Sequence, residues 1–143
     1  DFVRMIQNQG INVAANYIFG LPNETEDSMK FTLDYALETN SEMANFYSAM
    51  AYPGSPLFLE ARKNGTPLPK NYAGFSQHSY DTLNLPSKNL TSRQILSFRD
   101  HAWEKYHSNS KYLSLVKSKF GKPAVENIKS SLKIKLKRKI LEN

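Results

Sequence analysis

The run Ile11 to Phe19 (INVAANYIF) is almost continuously apolar and lies between Gly10 and the corner Gly20-Leu21-Pro22. That pattern predicts a strand buried on both faces, as in a parallel sheet. Before it, Phe2 to Gln9 reads as the last turns of a helix, with Gly10 as its C-terminal stop. After it, Met29, Leu33, Ala36 and Leu37 recur at helical spacing, and Asn23 with Glu26 forms a capping-box-like start. Met43 to Ala51 predicts a second strand, ending at Tyr52-Pro53-Gly54-Ser55. Pro56 then opens a helix to Lys63 that Asn64-Gly65 closes.

Strand, helix, strand, helix at a repeat of about thirty residues is the βαβ unit. A right-handed crossover makes its strands parallel and brings their C-terminal ends to one edge. Ligands collect at that edge in both open sheets and barrels. The corners at Gly20-Leu21-Pro22 and Tyr52-Pro53-Gly54 therefore mark the functional side. Along the first strand, Tyr17 and Phe19 point opposite to Asn16 and Ile18. The smaller, mixed pair is the better candidate for the side that meets a ligand.

Residues 66–90 shift to Pro, Gly, Asn, Ser and aromatics, an ordered loop rather than a plain linker. Thr91 or Ser92 caps a helix reaching about His107 that buries Ile95, Leu96, Phe98, Ala102 and Trp103. Lys111 to Phe120 predicts another, ended by Gly121-Lys122-Pro123. From Ala124 to Leu141 the apolar positions Val125, Ile128, Leu132, Leu136 and Ile140 favour a helix. Leu132, Ile134 and Leu136 also alternate with Lys, which leaves a strand open. The organisation is thus residues 1–65 as βα units, 66–90 as loop, and 91–143 as a helical extension with a basic tail.

Charge sharpens the last division. The net +6 arises in residues 111–143, where ten Lys/Arg face two acids, whereas the preceding residues are slightly acidic. The economical reading is a solvated or partner-facing helix face, and nucleic acid is not the expected partner. No apolar run reaches the ~18 residues of a spanning helix. The absence of cysteine suits a cytoplasmic setting and means that this chain offers no thiolate to zinc or an iron–sulfur cluster. Asp1 stands inside a pattern with no Met before it, so the chain is expected to begin within a longer protein.

Sequence motifs for nucleophilic hydrolysis, P-loop phosphate binding, zinc proteolysis and paired-carboxylate catalysis are missing. His101 and His107 lie six apart, off the spacing that lets one helix share a metal between them, and read as surface or core residues. His78, in Gln77-His78-Ser79-Tyr80-Asp81, is the histidine with a candidate site role. Gly20 and Gly54 also have a plain reading as turn residues.

Two stretches carry a family resemblance. GINVAANYIFGLPNETEDSMKFTLDYA followed by ANFYSAMAYPGSPLFLEARKNG resembles the second half of a radical S-adenosylmethionine (SAM) domain. The likeness is to the branch with an N-terminal cobalamin-binding domain. YAGFSQHSYDTLNLPSKNLTSRQILSFRDHAWEKY and KIKLKRKIL resemble the C-terminal extension of that branch, so the match runs through nearly the whole chain. The resemblance implies the C-terminal part of a partial (β/α)6 TIM-like barrel followed by a mostly helical extension, with SAM lying across the strand ends. The family's Gly-x-Ile-x-Gly-x-x-Glu-like strand maps onto Asn16, Ile18, Gly20 and Glu24. Here Asn16 replaces a glycine and Glu24 falls one position late. Ile18 is then an apolar adenine contact, and Ala51, Tyr52 and Pro53 line the same adenine. Asn45, Tyr47, His78 and Tyr80 are candidates to face substrate.

The family's Cys-x3-Cys-x2-Cys loop and its Asp-x-His-x2-Gly cobalamin motif are absent from this chain. The resemblance implies a longer parent enzyme that holds a 4Fe–4S cluster and cobalamin, receives electrons from a flavodoxin- or ferredoxin-type reductant, and cleaves SAM to a 5′-deoxyadenosyl radical. Methyl transfer to carbon, on a small-molecule or lipid- or saccharide-like substrate, is the expected use. This chain alone is expected to be inert and to expose a strand edge. Two other readings stay open: a methylthiotransferase-like radical SAM enzyme without cobalamin, and a small basic binding module without chemistry.

Overall fold

The computed structural model describes residues 2–142; Asp1 and Asn143 lie outside the described residues. Helix α1 (Phe2–Asn8) leads through Gly10 into strand β1 (Ala14–Phe19), helix α2 (Glu26–Thr39), strand β2 (Met43–Ser48) and helix α3 (Pro56–Lys63). A loop with one 3₁₀ turn at Tyr72–Phe75 follows, then α4 (Ser92–His107), α5 (Ser110–Leu132) and the short α6 (Lys139–Glu142). The chain is mixed α/β and mostly helical, and β1 and β2 pair in parallel, with Asn16 opposite Asn45 and Ile18 opposite Tyr47. Among the described residues these two strands are the whole sheet, and they close no barrel.

The sheet has one covered face. Tyr17, Phe19, Ala44 and Phe46 point into a core completed by Met29, Leu33 and Ala36 of α2, Ile95, Ala102 and Tyr106 of α4, and Tyr112 and Val116 of α5. Phe46 is its centre: its ring lies 5.3 Å from Tyr17, 6.1 Å from Phe19 and 5.4 Å from Tyr106. The other face, with Asn16, Ile18, Met43, Asn45 and Tyr47, is exposed. The apolar run thus predicts the strand but misjudges its burial: this chain covers one face only, and the strand begins at Ala14 because Ile11 is solvent-exposed.

Below the sheet the buried Glu42 joins α1, β1 and α5. Its carboxylate accepts hydrogen bonds from the Val13 N–H (2.9 Å) and the Gln7 amide (3.0 Å), and the Lys119 ammonium lies 3.6 Å away. Burial alone raises a carboxyl pKa, but these donors and Lys119 reverse the sign and hold it below its ordinary value.

Caps depart from the sequence reading in one place. Thr25, not Asn23, caps α2, in a reciprocal box with Ser28. Glu24 occupies the position between them and turns its carboxylate back to the N–H groups of Gly20 and Leu21. The chain needs one more residue to finish that corner before the helix starts. Thr91 and Gln94 form the second reciprocal box, at α4. Helix α4 buries Ile95, Leu96 and Ala102 as expected; Phe98 and Trp103 are half-buried, while Arg99, Tyr106 and His107 are buried in addition.

The tail is the larger correction. Gly121 breaks α5 with φ 83° and ψ 178°, where the sequence ends a helix, and helical structure resumes to Leu132. Residues 134–138 then lack regular secondary structure, unpaired with any strand among the described residues, instead of continuing a helix to Leu141. Arg138 explains the change: it is 3 % exposed and forms an ion pair with Asp100 of α4. Lys135 meets Glu104 at 2.9 Å, and the Lys139 N–H donates to the Tyr80 carbonyl at 2.9 Å. Three anchors on α4 and the loop hold the segment in place where a continued helix would turn some of them away.

Gly20 separates steric from conformational cost. It adopts φ 87°, and a Cβ there would stand 2.6 Å from Cγ2 of the buried Ile95, whereas Gly54 (φ 86°) has open space around it. Gly54→Ala is expected to cost about 1 kcal/mol of backbone strain, and Gly20→Ala roughly 2–4 kcal/mol, because overpacking adds to that strain. Urea denaturation midpoints of the two variants at unchanged slope check the difference; equal losses contradict the close approach to Ile95.

Candidate functional site

The exposed face of the sheet continues past the strand ends into a groove of about 820 Å³. Ile18 and Tyr47 form its floor at the ends of β1 and β2, Leu21 and the Tyr52-Pro53 corner its rim, and Tyr72, Phe75 and His78 of the loop its far wall. Parallel pairing makes this possible: Ile18 and Tyr47 are register partners, so both corners leave the sheet on the same side. The Tyr52 and Phe75 rings stack at 6.2 Å and 28°, fastening the second corner to the loop. The groove lining carries no formally charged side chain apart from the titratable His78.

The first corner is rigid for polar reasons. Besides holding the Gly20 and Leu21 amides, Glu24 accepts from Ser28 Oγ at 3.3 Å, and its own carbonyl takes Ser87 Oγ at 3.0 Å and Asn89 Nδ2 at 3.1 Å. The returning loop thereby locks the turn that sets Leu21 beside Ile18. Glu24 acts inside the protein as a clasp for the corner.

The loop meets the sheet through Gln77. Its Nε2 donates to the Phe46 carbonyl (3.1 Å) and its Oε1 accepts the Ser48 N–H (2.9 Å). In a strand, residues i and i+2 present these groups on one edge, so the Gln77 amide substitutes for a peptide of a neighbouring strand. Arg99 adds its Nε to the same Phe46 carbonyl at 2.7 Å. The outer edge of β2 is therefore sealed beside the groove, while no strand lies along the outer edge of β1 among the described residues.

The residues singled out in the sequence distribute unevenly. Ile18, Tyr47, Tyr52, Pro53 and His78 converge on the groove. Asn16 and Asn45 lie on the same sheet face nearer the strand starts, joined by an Asn45 Nδ2 to Asn16 Oδ1 hydrogen bond of 3.1 Å. Gly20 borders a cleft on the other side of the corner, with Pro22, Asn64 and Pro86. Ala51 is buried in a small cluster with Ala61 and Leu85 and does not line the groove. Tyr80 stands apart, its hydroxyl donating to Glu142 at 3.0 Å. Of the other histidines, His107 is buried against Tyr106 and Tyr112 with Nδ1 2.8 Å from the Trp103 carbonyl, and His101 is exposed beside Phe98.

Sequence reasoning marked the corner that holds Leu21 as functional, but it gave no role to Gln77 or Arg99. For Arg99 a signal existed: it falls on the same helical stripe as Ile95, Ala102 and Tyr106, where a guanidinium is out of place unless buried and paired. For Gln77 none existed, because its partner is a strand edge thirty residues away.

Neither a family model nor a solved structure matches the chain. Curated relatives are distant. An uncharacterized methyltransferase of Pyrococcus horikoshii is 27% identical over 115 residues, covering 79% of this chain and 24% of that protein. An anaerobic magnesium-protoporphyrin IX monomethyl ester cyclase of Cereibacter sphaeroides is 26% identical over 96 residues, 67% of this chain and 15% of that protein. The cyclase of the same name from Rubrivivax gelatinosus is 34% identical over 58 residues, 41% of this chain and 10% of that protein. The chain thus spans a quarter or less of the length of these relatives, and the likeness is to proteins named as enzymes. No helix among the described residues is long and apolar enough to cross a membrane.

Two expectations follow. Gln77→Leu leaves the buried Ser48 N–H without a partner and is expected to cost about 1–3 kcal/mol, with faster hydrogen exchange at Ser48; an unchanged exchange rate contradicts the edge-sealing role. Burial, with nearby Arg charge, holds the imidazoles of His78 and His107 below their ordinary 6.5. Both are neutral in folded and unfolded states at high pH, but the unfolded chain protonates first as pH falls. Stability is expected to decline below about pH 6.5 until the folded imidazoles also protonate, and His107→Phe flattens that decline in denaturation midpoints measured across the window.

Proposed function

We propose that this chain is the SAM- and substrate-facing C-terminal portion of a radical SAM enzyme, its two strands the last of a partial (β/α)6 barrel, working in the cytoplasm. The observation that carries the reading is the uncharged, apolar and aromatic groove across the C-terminal ends of two parallel strands. Its floor suits a flat heterocycle: Ile18 and Leu21 offer aliphatic contact, and Tyr52 offers an aromatic face beside Pro53. In this reading Ile18, Tyr52 and Pro53 meet the adenine of SAM. Asn16 supplies a polar group on the sheet face, Gly20 and Glu24 shape the corner, and Ala51 packs behind it. Tyr47, Asn45 and His78 face the substrate side, with Tyr80 at the edge of the loop.

SAM, once bound in the full-length protein and reduced by one electron, supplies a carbon radical able to attack unactivated C–H bonds. The residues here do the binding, the orientation and the exclusion of water. With no cysteine, this chain gives no thiolate ligand to a 4Fe–4S cluster, so that ligation belongs to the remainder of the parent, as does cobalamin. A flavodoxin- or ferredoxin-type protein is the proposed electron donor. Methyl transfer is favoured as the reaction because the relative matched over most of this chain is named a methyltransferase.

The test uses the full-length protein, reconstituted without oxygen and given SAM and a low-potential reductant. It is expected to form 5′-deoxyadenosine, and to form S-adenosylhomocysteine only when cobalamin is present. Ile18→Asp is expected to weaken SAM binding by about tenfold or more, equivalent to ~1.4 kcal/mol, in equilibrium dialysis. A reconstituted protein that yields neither product overturns the reading.

A further inference from the structure

Behind His78 lies a second, smaller cavity of about 240 Å³, and His78 lines both spaces. Its walls are α4 on one side and the 134–138 segment on the other, with Trp103, Leu132 and Leu136 giving it apolar surface. Two guanidiniums lie in its wall, Arg99 and Arg138, with side chains 8% and 3% exposed. Both pair with one carboxylate, that of Asp100, while Lys135 and Glu104 neutralise each other. The count leaves one buried positive charge in excess.

Hydrogen bonding points the same way. Arg138 Nε and Nη1 are buried with no partner among the described residues, while Arg99 uses Nε on the Phe46 carbonyl and Nη1 on Asp100. Anchoring the tail to α4 requires a single guanidinium–carboxylate pair. It does not require a second guanidinium facing the same carboxylate, nor donors left over, since unpaired buried donors are costly. Burial lowers the affinity of Arg99 for its proton, to a pKa of about 10, and burial followed by the charge of Arg99 lowers that of Arg138. A bound anion relieves the repulsion, and forked guanidiniums match the oxygens of a carboxylate or phosphate.

We propose that this cavity binds the anionic group, a carboxylate or a phosphate, of an otherwise apolar substrate, gripped by Arg99 and Arg138 while the substrate body passes His78 into the groove. The assignment deepens the proposed function by naming a substrate class and rests on that reading for the identity of the groove.

The test titrates the full-length protein with inorganic phosphate, acetate and hexanoate at constant ionic strength in chloride, without SAM or reductant. Because screening is then fixed, differences report the site. Hexanoate is expected to bind at least tenfold tighter than acetate, since its chain lies on Trp103 and Leu136. Phosphate binding with hexanoate no better than acetate marks a free-anion site and overturns the substrate assignment. Arg138→Gln is expected to weaken hexanoate at least tenfold, and Lys63→Gln on α3 to leave it unchanged; equal affinities in all three proteins overturn the proposal. Should Arg138→Gln unfold, the side-chain ¹⁵Nε resonances of Arg99 and Arg138 in the unaltered protein give the answer. They shift saturably with hexanoate if the site exists and stay fixed if it does not. A protein that binds hexanoate yet forms no 5′-deoxyadenosine loses the proposed function alone, and activity without anion binding overturns only this inference.

Discussion

The Phe46 carbonyl receives two side-chain donors, Gln77 Nε2 and Arg99 Nε, and much of the architecture depends on that meeting. A buried strand edge cannot be left unpaired. Here the edge is satisfied without another strand, which makes β2 terminal on that side. Gln77 can reach it only if residues 72–78 lie against the strand end, so the same bonds build the far wall of the groove. Arg99 can reach it only from within α4, which seats that helix across the covered face. The guanidinium, once desolvated there, recruits Asp100, and Asp100 in turn recruits Arg138 from the tail. A hydrogen-bond requirement on one strand edge therefore propagates to the position of a segment nearly a hundred residues later.

The sheet's other property comes from the two-residue period of its strands. Tyr17, Phe19, Ala44 and Phe46 face the helices, and Asn16, Ile18, Asn45 and Tyr47 face away. The outward set is less apolar than the inward one, yet Ile18 and Tyr47, the pair nearest the corners, are the ones a solvated sheet does not call for. Their exposure, 47% and 41%, concentrates where the groove lies. A pattern that places apolar side chains at the groove end and asparagines at the far end reads as a gradient along the open face rather than as an unfinished core.

How far the sequence discloses this depends on the range of the forces involved. Local determinants were legible: the βαβ order, the Pro56 start, the Gly121 break and the split of Tyr17 and Phe19 from Asn16 and Ile18 are set by neighbours within a turn or a strand period. The Asn23 cap failed because Glu24 has a task in the preceding corner, and one residue of displacement moved the box to Thr25 and Ser28. The tail failed for a longer-range reason: helical spacing of Leu132, Leu136 and Ile140 competes with an ion pair to Asp100 whose partner is thirty-eight residues earlier. At the candidate site, Tyr52 and Pro53 were legible because corners after parallel strands must share a side, and Ile18 from the alternation along β1. Tyr47 was named on the resemblance and His78 on its place in the aromatic loop. Ala51 was not legible, since the chain bends after Ser48 and turns that side chain inward.

The distribution of charge ties the two cavities together. Ten basic residues in the last part of the chain could place a strongly positive field over the groove, and such a field would repel the sulfonium of the SAM proposed to bind there. The fold prevents this locally. Arg99 and Arg138 share Asp100 and line the smaller cavity rather than the groove, with His78 between the two spaces. The positive charge that remains borders the smaller space, where the proposed anion would offset it. A neutral groove beside a cationic recess gives two regions of opposite preference, and the proposed substrate, with an acidic end and an apolar body, would satisfy both.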